Sequence, residues 1–162
     1  MKIVIKYLRL VLPHLGIALI VLAMILGYFY NWRGKAVLLL TDKTNVFITK
    51  NKEIKIVPYA LTLSNFIVEY YNSGEPKDFE AIILVEENNV SKTISLSVNH
   101  PYKMGFGQDL YLTSYDKNTE APEYCVVELV YDPFQGLFLT GIIFVMVGLV
   151  LGIPFFTSLV KL

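Results

Sequence analysis

Cysteine, tryptophan and histidine are scarce in this chain, and charge is scarce in two long stretches of it. Cys125 is the single cysteine, which excludes an internal disulfide and any Cys-x-x-Cys redox or zinc motif. There is no Gly-x-Ser-x-Gly, no P-loop and no His-Glu-x-x-His, so the common hydrolase, nucleotide and zinc-protease signatures are missing. Carboxylates are plentiful but follow no spacing that defines a site. The expectation is that the chain is not an enzyme. Charged residues make up only 17% of the sequence and hydrophobic ones 54%, and that excess is unevenly placed.

Two runs hold it. Leu10 to Tyr30 and Phe134 to Val160 contain no charged residue. Each exceeds the roughly 20 residues that a helix needs to cross about 30 Å of hydrocarbon. All fourteen acidic residues lie between Asp42 and Asp132, with ten of the fourteen basic ones between Arg33 and Lys117, a balance of −4. Nothing in that segment suggests nucleic acid. The remaining basic residues, Lys2, Lys6, Arg9 and Lys161, sit in the two tails, which carry no acid. Basic tails stay in the cytoplasm, so both termini are expected there and the middle outside a bacterial inner membrane. Arg33 and Lys35 oppose this more weakly. A cleaved signal peptide fits poorly, because bulky Tyr28, Phe29 and Tyr30 stand where cleavage needs small residues. These aromatics with Trp32, and Tyr131, Phe134 and Phe138 on the other run, read as interfacial belts.

The expected architecture is a multi-pass membrane protein, with two transmembrane α-helices flanking an all-β extracytoplasmic domain, sandwich or barrel-like. Residues 1–9 form a basic cytoplasmic segment, 10–31 the first span, 33–132 the β-domain, 134–159 the second span and 160–162 a cytoplasmic tail. Lys2, Lys6 and Arg9 are spaced for one basic helical stripe on an anionic leaflet. Pro13 then suits the first turn of the spanning helix. In the middle, short β-branched or alternating stretches occur at 36–41, 44–49, 53–57, 61–71, 79–86, 92–98, 109–115 and 124–131. Turn signals fall between them at Asn72, Glu87–Asn89, His100–Pro101, Gly105–Gly107 and Lys117. Gly148 and Gly152 form a small-xxx-small pair that permits close helix approach, to a partner that the sequence does not identify.

Two histidines and the cysteine are the residues with chemistry to offer. His14 stands near the cytoplasmic end of an apolar helix, where an ionisable group is costly and is a functional candidate. Neutral imidazole is also an axial ligand of haem iron. A position close enough to the headgroups to reach water would explain it equally. His100 precedes Pro101, whose constraint on the preceding residue makes a plain turn sufficient. Cys125 reads as a small buried strand residue.

The stretch from Val57 to Asp116 resembles the soluble domain of ResB-type cytochrome c biogenesis proteins of the system II pathway. The resemblance rests on an extended segment, Pro58 to Tyr70-Tyr71, and a turn, Gly74-Glu75-Pro76-Lys77-Asp78. Asn99-His100-Pro101 and Gly105 leading to Tyr111-Leu112-Thr113-Ser114-Tyr115 follow in the same order. Asp132-Pro133, ahead of a closing membrane helix, also fits. The chain is much shorter than typical members. It lacks the tryptophan-rich haem segment, which the CcsA- or ResC-type partner carries in this family. The resemblance implies an accessory, non-catalytic subunit that helps export or deliver haem to apocytochrome c with such a partner. Haem would then be held in the complex, and His14 is the candidate contact. A rival reading remains open: a membrane-tethered β-domain that binds a ligand, senses, or stabilises an unrelated complex.

Overall fold

The computed structural model describes residues 2–116 and 122–159, with side chains from 7 to 116 and from 122 to 152. The chain forms two compact units. One comprises residues 1–31 and 132–162, the other residues 32–131. The basic stripe at Lys2 and Lys6, the Lys117 turn and the 160–162 tail lie outside the described side chains or residues.

The first unit is a pair of helices, α1 (Lys2–Tyr30) and α2 (Gln135–Leu159). Within α1, Tyr7–Tyr30 is long and apolar enough to cross a membrane, as is Gln135–Gly152 within α2. Only 11% of each segment is buried. Leu22, Met24, Ile25, Ile143, Met146 and Leu149 point outward. A core helix of a water-soluble protein would hide these side chains. The start of α2 is written locally: the Asp132 carboxylate accepts the Phe134 backbone N–H at 3.2 Å, and Pro133 follows it. That is an Asx turn, and it leads through Pro133 and Phe134 into the helix.

Pro13 is placed differently from the sequence expectation. It lies inside α1, not in its first turn, because the helix already begins at Lys2. Its ring occupies the space that a side chain at Gly148 would fill. The partner of the glycine face on α2 is thus α1. The seam runs through Gly141 and Gly148, one heptad apart, and Gly152 has open space around it. A Cβ on Gly16 would lie 2.6 Å from the Gly141 carbonyl oxygen, and one on Gly141 2.8 Å from that of Gly16. The two backbones touch where neither carries a side chain.

The second unit is one antiparallel sheet of eight strands. These are β1 (Trp32–Leu39), β2 (Thr44–Thr49), β3 (Ile54–Tyr70), β4 (Pro76–Glu87), β5 (Val90–Ser97), β6 (Tyr102–Gly105), β7 (Gln108–Tyr115) and β8 (Tyr124–Tyr131). Their order is β5-β4-β3-β2-β1-β8-β7-β6. The sheet curls until β5 approaches β6 and β7, and the tight turn that follows β5 carries an isolated bridge from Ser97 to His100. Across the interior the Tyr59 hydroxyl on β3 donates to Gln108 on β7 at 2.9 Å. The result is barrel-like, with one continuous sheet in place of two facing ones.

Alternation fills the interior. Leu38, Phe47, Leu61, Leu63, Ile83, Leu96, Leu110, Cys125, Val127 and Leu129 are fully buried. Phe47 lies over Gly34 of the neighbouring strand, where a Cβ would come within 2.9 Å of its own. Two stretches read separately in the sequence, 53–57 and 61–71, are one strand, β3, which runs through Pro58. A bulge at Leu63/Asn65 shifts its register, so Phe66 turns inward after two exposed residues. The four-residue strand β6 has no signal in the sequence beyond the turns that bound it.

Candidate functional site

His14 is exposed on α1, and its ring nitrogen Nδ1 lies 2.6 Å from the Leu10 carbonyl oxygen. A carbonyl only accepts, so Nδ1 carries the proton and donates it. In the neutral ring the lone pair is then on Nε2, which is the arrangement of a histidine prepared to bind a metal. Pro13 sits beside it and leaves the helical ladder one N–H short. Among the described residues no group of three or more His, Cys, Asp and Glu could hold a metal ion. What His14 itself presents is one exposed ring nitrogen, Nε2.

The helix pair has a second feature at its other end. A cavity of about 350 Å³ is floored by Ala23 and Gly27, walled by Met24, Tyr28 and Phe138, and bordered by Asn31, Asp132 and Gln135. Asn31 folds back over Gly27, whose missing side chain makes the room. Thirteen residues separate His14 from Gly27, about 20 Å of helix. The two features therefore cannot share one small ligand. Sequence reasoning overlooked this cavity. Its signal is the polar trio of Asn31, Asp132 and Gln135 at the ends of two apolar runs, of which only Asp132 entered the reading, as part of the family resemblance.

On the β-domain, two shallow clefts of about 430 and 450 Å³ flank the outer face of β1. Arg33 and Glu128 line both. Beside them the outer face of β1 to β3 is apolar. Val37, Ile48, Ile54 and Ile56 are all more than half exposed. Ile48 pairs directly with Ile54, and Val46 with Ile56, so the residues form one surface. Trp32 and Tyr131, read from the sequence as belt residues, pair their rings at 5.9 Å within the domain, with Trp32 half-buried against its core. Tyr28, Phe29 and Tyr30 are exposed on α1.

His100 and Cys125 have structural work. His100 donates its backbone N–H to Ser97 at 3.2 Å, and its ring nitrogen Nδ1 lies 3.1 Å from the Val98 carbonyl oxygen. Together they hold the turn between β5 and β6. Cys125 faces the interior between Leu38 and Tyr115, its register partners, and burial pushes its thiol up to about 12. A thiol so placed stays protonated and unreactive at neutral pH. Tyr59 is raised for the same reason, with Glu87 adding to it.

The sequence motifs map onto strand ends and turns. Tyr70 closes β3, the Gly74–Asp78 turn opens β4, Asn99–Pro101 separates β5 from β6, and Gly105 ends β6. Tyr115, the last residue of its motif, stacks on Phe66 at 5.0 Å and meets Phe79 at 4.6 Å. These residues specify how the sheet curls and do not converge on a reactive centre. The chain is thus a curled β-domain carried between two apolar helices, with one outward imidazole on the first of them. The ResB-like family model matches residues 7–122, well over half of the chain, and the chain belongs to the ResB-like family. That match takes in α1 from Tyr7 and ends before β8. Comparison with curated proteins gives no match.

Proposed function

We propose that this chain is an accessory, non-catalytic membrane subunit of system II cytochrome c maturation. It assists haem export or delivery to apocytochrome c together with a CcsA/ResC-like partner. The observation that carries the reading is the ResB-like match running from the first apolar helix through most of the β-domain. Cytochrome c biogenesis is what that family suggests. Both helices span the bacterial inner membrane, both termini are cytoplasmic and the β-domain lies outside. The helix pair packs on the partner's haem path, and His14 contacts haem there through Nε2. The proton that Nδ1 gives to Leu10 supports this role, since it fixes the tautomer. The apolar outer face of β1 to β3 is the surface on which apocytochrome or the partner docks, for its exposed isoleucines have no role in the sheet's own core.

The test is His14→Ala. Mature cytochrome c should fall several-fold while the subunit stays in the membrane at normal abundance. Alanine is cheaper to insert than a charged side chain, which costs ~2.5–3.5 kcal/mol at the helix centre. Added imidazole should restore part of the loss. Full maturation in the variant would remove His14 from the haem path. Topology is tested separately by reporters fused after Leu162 and inserted at Lys117. The first should report cytoplasm and the second the exterior. A cytoplasmic signal at Lys117 would overturn the proposal, because the covalent attachment takes place outside.

A further inference from the structure

Phe106 is 82% exposed at the tip of the β6–β7 hairpin. Gly105 pairs with Gln108, so the turn is Phe106-Gly107, with Gly107 at a φ of 67°. A large apolar ring flanked by two glycines buries nothing in its own domain. Its position in the sheet gives it a use. Gln108 pairs with Tyr131, and Tyr131 pairs with Trp32. Trp32 and Tyr131 are the residues at which the chain enters and leaves the domain. The β6–β7 turn precedes Gln108 on a strand antiparallel to β8. It therefore projects past this edge in the direction in which β8 leaves the sheet.

The tethers at that edge are short. Only Asn31 separates α1 from β1, and only residues 132–134 separate β8 from α2. One extended residue spans at most about 3.6 Å, so Trp32 cannot lie far from the end of the first helix. Phe106 lies two residues beyond Gln108, about 7 Å along the strand direction. The β2–β3 turn is at the same edge, since Gly34 pairs with Thr49, and it presents exposed Lys50 and Lys52.

We propose that Phe106 inserts into the interfacial layer of the phospholipid bilayer on the side of the β-domain, with Lys50 and Lys52 at the level of the lipid phosphates. Aromatic rings favour that layer, where an apolar body meets a wet boundary. The hairpin tip is then a further point of membrane contact beside the two helices. The inference rests on the membrane-spanning reading of α1 and α2.

The test uses the full chain in phospholipid vesicles, in a Cys125→Ala background. A nitroxide is attached at Phe106→Cys, at Met24→Cys on the outward face of α1, or at Ser73→Cys in the β3–β4 turn at the opposite edge. Collision rates with oxygen and with a water-soluble nickel chelate are compared. The oxygen-to-nickel ratio at 106 should be several-fold above that at 73 and should approach that at 24. A ratio at 106 equal to that at 73, with 24 in hydrocarbon, would overturn this proposal and leave the spanning helices standing. A water-like ratio at 24 would overturn the spanning reading, and this inference with it.

Discussion

The helix pair and the β-domain are built from similar apolar residues used in opposite ways. In the β-domain, stability comes from side chains that fill space. Phe47, Leu61, Leu63, Ile83 and Leu129 are hidden from water, and polar residues alternate with them. In the helix pair, contact comes from side chains that are missing. Gly16 meets Gly141 backbone to backbone, Pro13 fits over Gly148, and the large residues face outward. Water rewards burial of apolar surface at roughly 25 cal/mol per Å². On the proposed membrane-spanning reading, lipid gives no such reward, so close van der Waals approach of two helices becomes the available gain. The comparison shows that the environment, more than composition, decides which positions matter.

Substitutions should sort accordingly. The largest effect is expected from Phe47→Ala, which empties a fully buried site and should cost about 3–5 kcal/mol. Denaturation of the full chain in detergent, followed by the sheet's circular dichroism, measures it. An unchanged midpoint would mean that the interior is not packed as described. The counterpart in the helix pair is an addition. Gly148→Leu forces a side chain into the Pro13 ring, and overpacking of this kind costs about 1–3 kcal/mol. Spin labels at Val21 and Ile142 should report a longer, broader helix separation. Gly152→Leu, with open space around it, should leave that separation unchanged. If both variants behave alike, the seam is elsewhere.

Titration separates the units in a gentler way. The Cys125 thiol has a folded pKa of about 12, above its ordinary value of 9.0, because burial disfavours the thiolate. Its contribution is complete below the ordinary value and is lost as pH rises through about 12, since the unfolded chain releases its proton first. Tyr59 is shifted in the same direction. The β-domain should therefore lose stability in alkaline solution, and Cys125→Ala should lessen the slope. Maleimide should label Cys125 only after denaturation. The smallest effect is expected at Lys77, whose bond to Glu69 at 3.1 Å is exposed to solvent. Lys77→Met should leave the melting curve in place, because such pairs are screened by water and salt.

Much of the fold is legible in the sequence where one residue's environment depends on its near neighbours. Uncharged runs of more than twenty residues specify the two apolar helices. Asn88 and Asn89, both at positive φ, form the tight β4–β5 turn that their residue type favours. Asp132 with Pro133 makes the turn that leads into α2. The order of the ResB-like motifs survives in the order of turns. The candidate His14 is legible too, as a lone ionisable group on an apolar helix.

Other features depend on what lies across the fold. The bulge after Leu63 reverses the alternation of β3, and nothing in the local sequence around Ser64 and Asn65 requires it; the register of β4 decides it. Gly148 and Gly152 look equivalent in the sequence, yet only Gly148 faces Pro13. The curl that brings Tyr59 to Gln108 joins strands far apart in the chain. Phe106 gains its place at the tethered edge only through its pairing by way of Gln108 and Tyr131 to Trp32. The sequence by itself determined the two apolar helices, most of the strands and the turns, because periodicity, charge and turn chemistry act within a few residues. Tertiary structure alone decided the register, the closure and which glycine touches which helix, because those depend on contacts that no local pattern encodes.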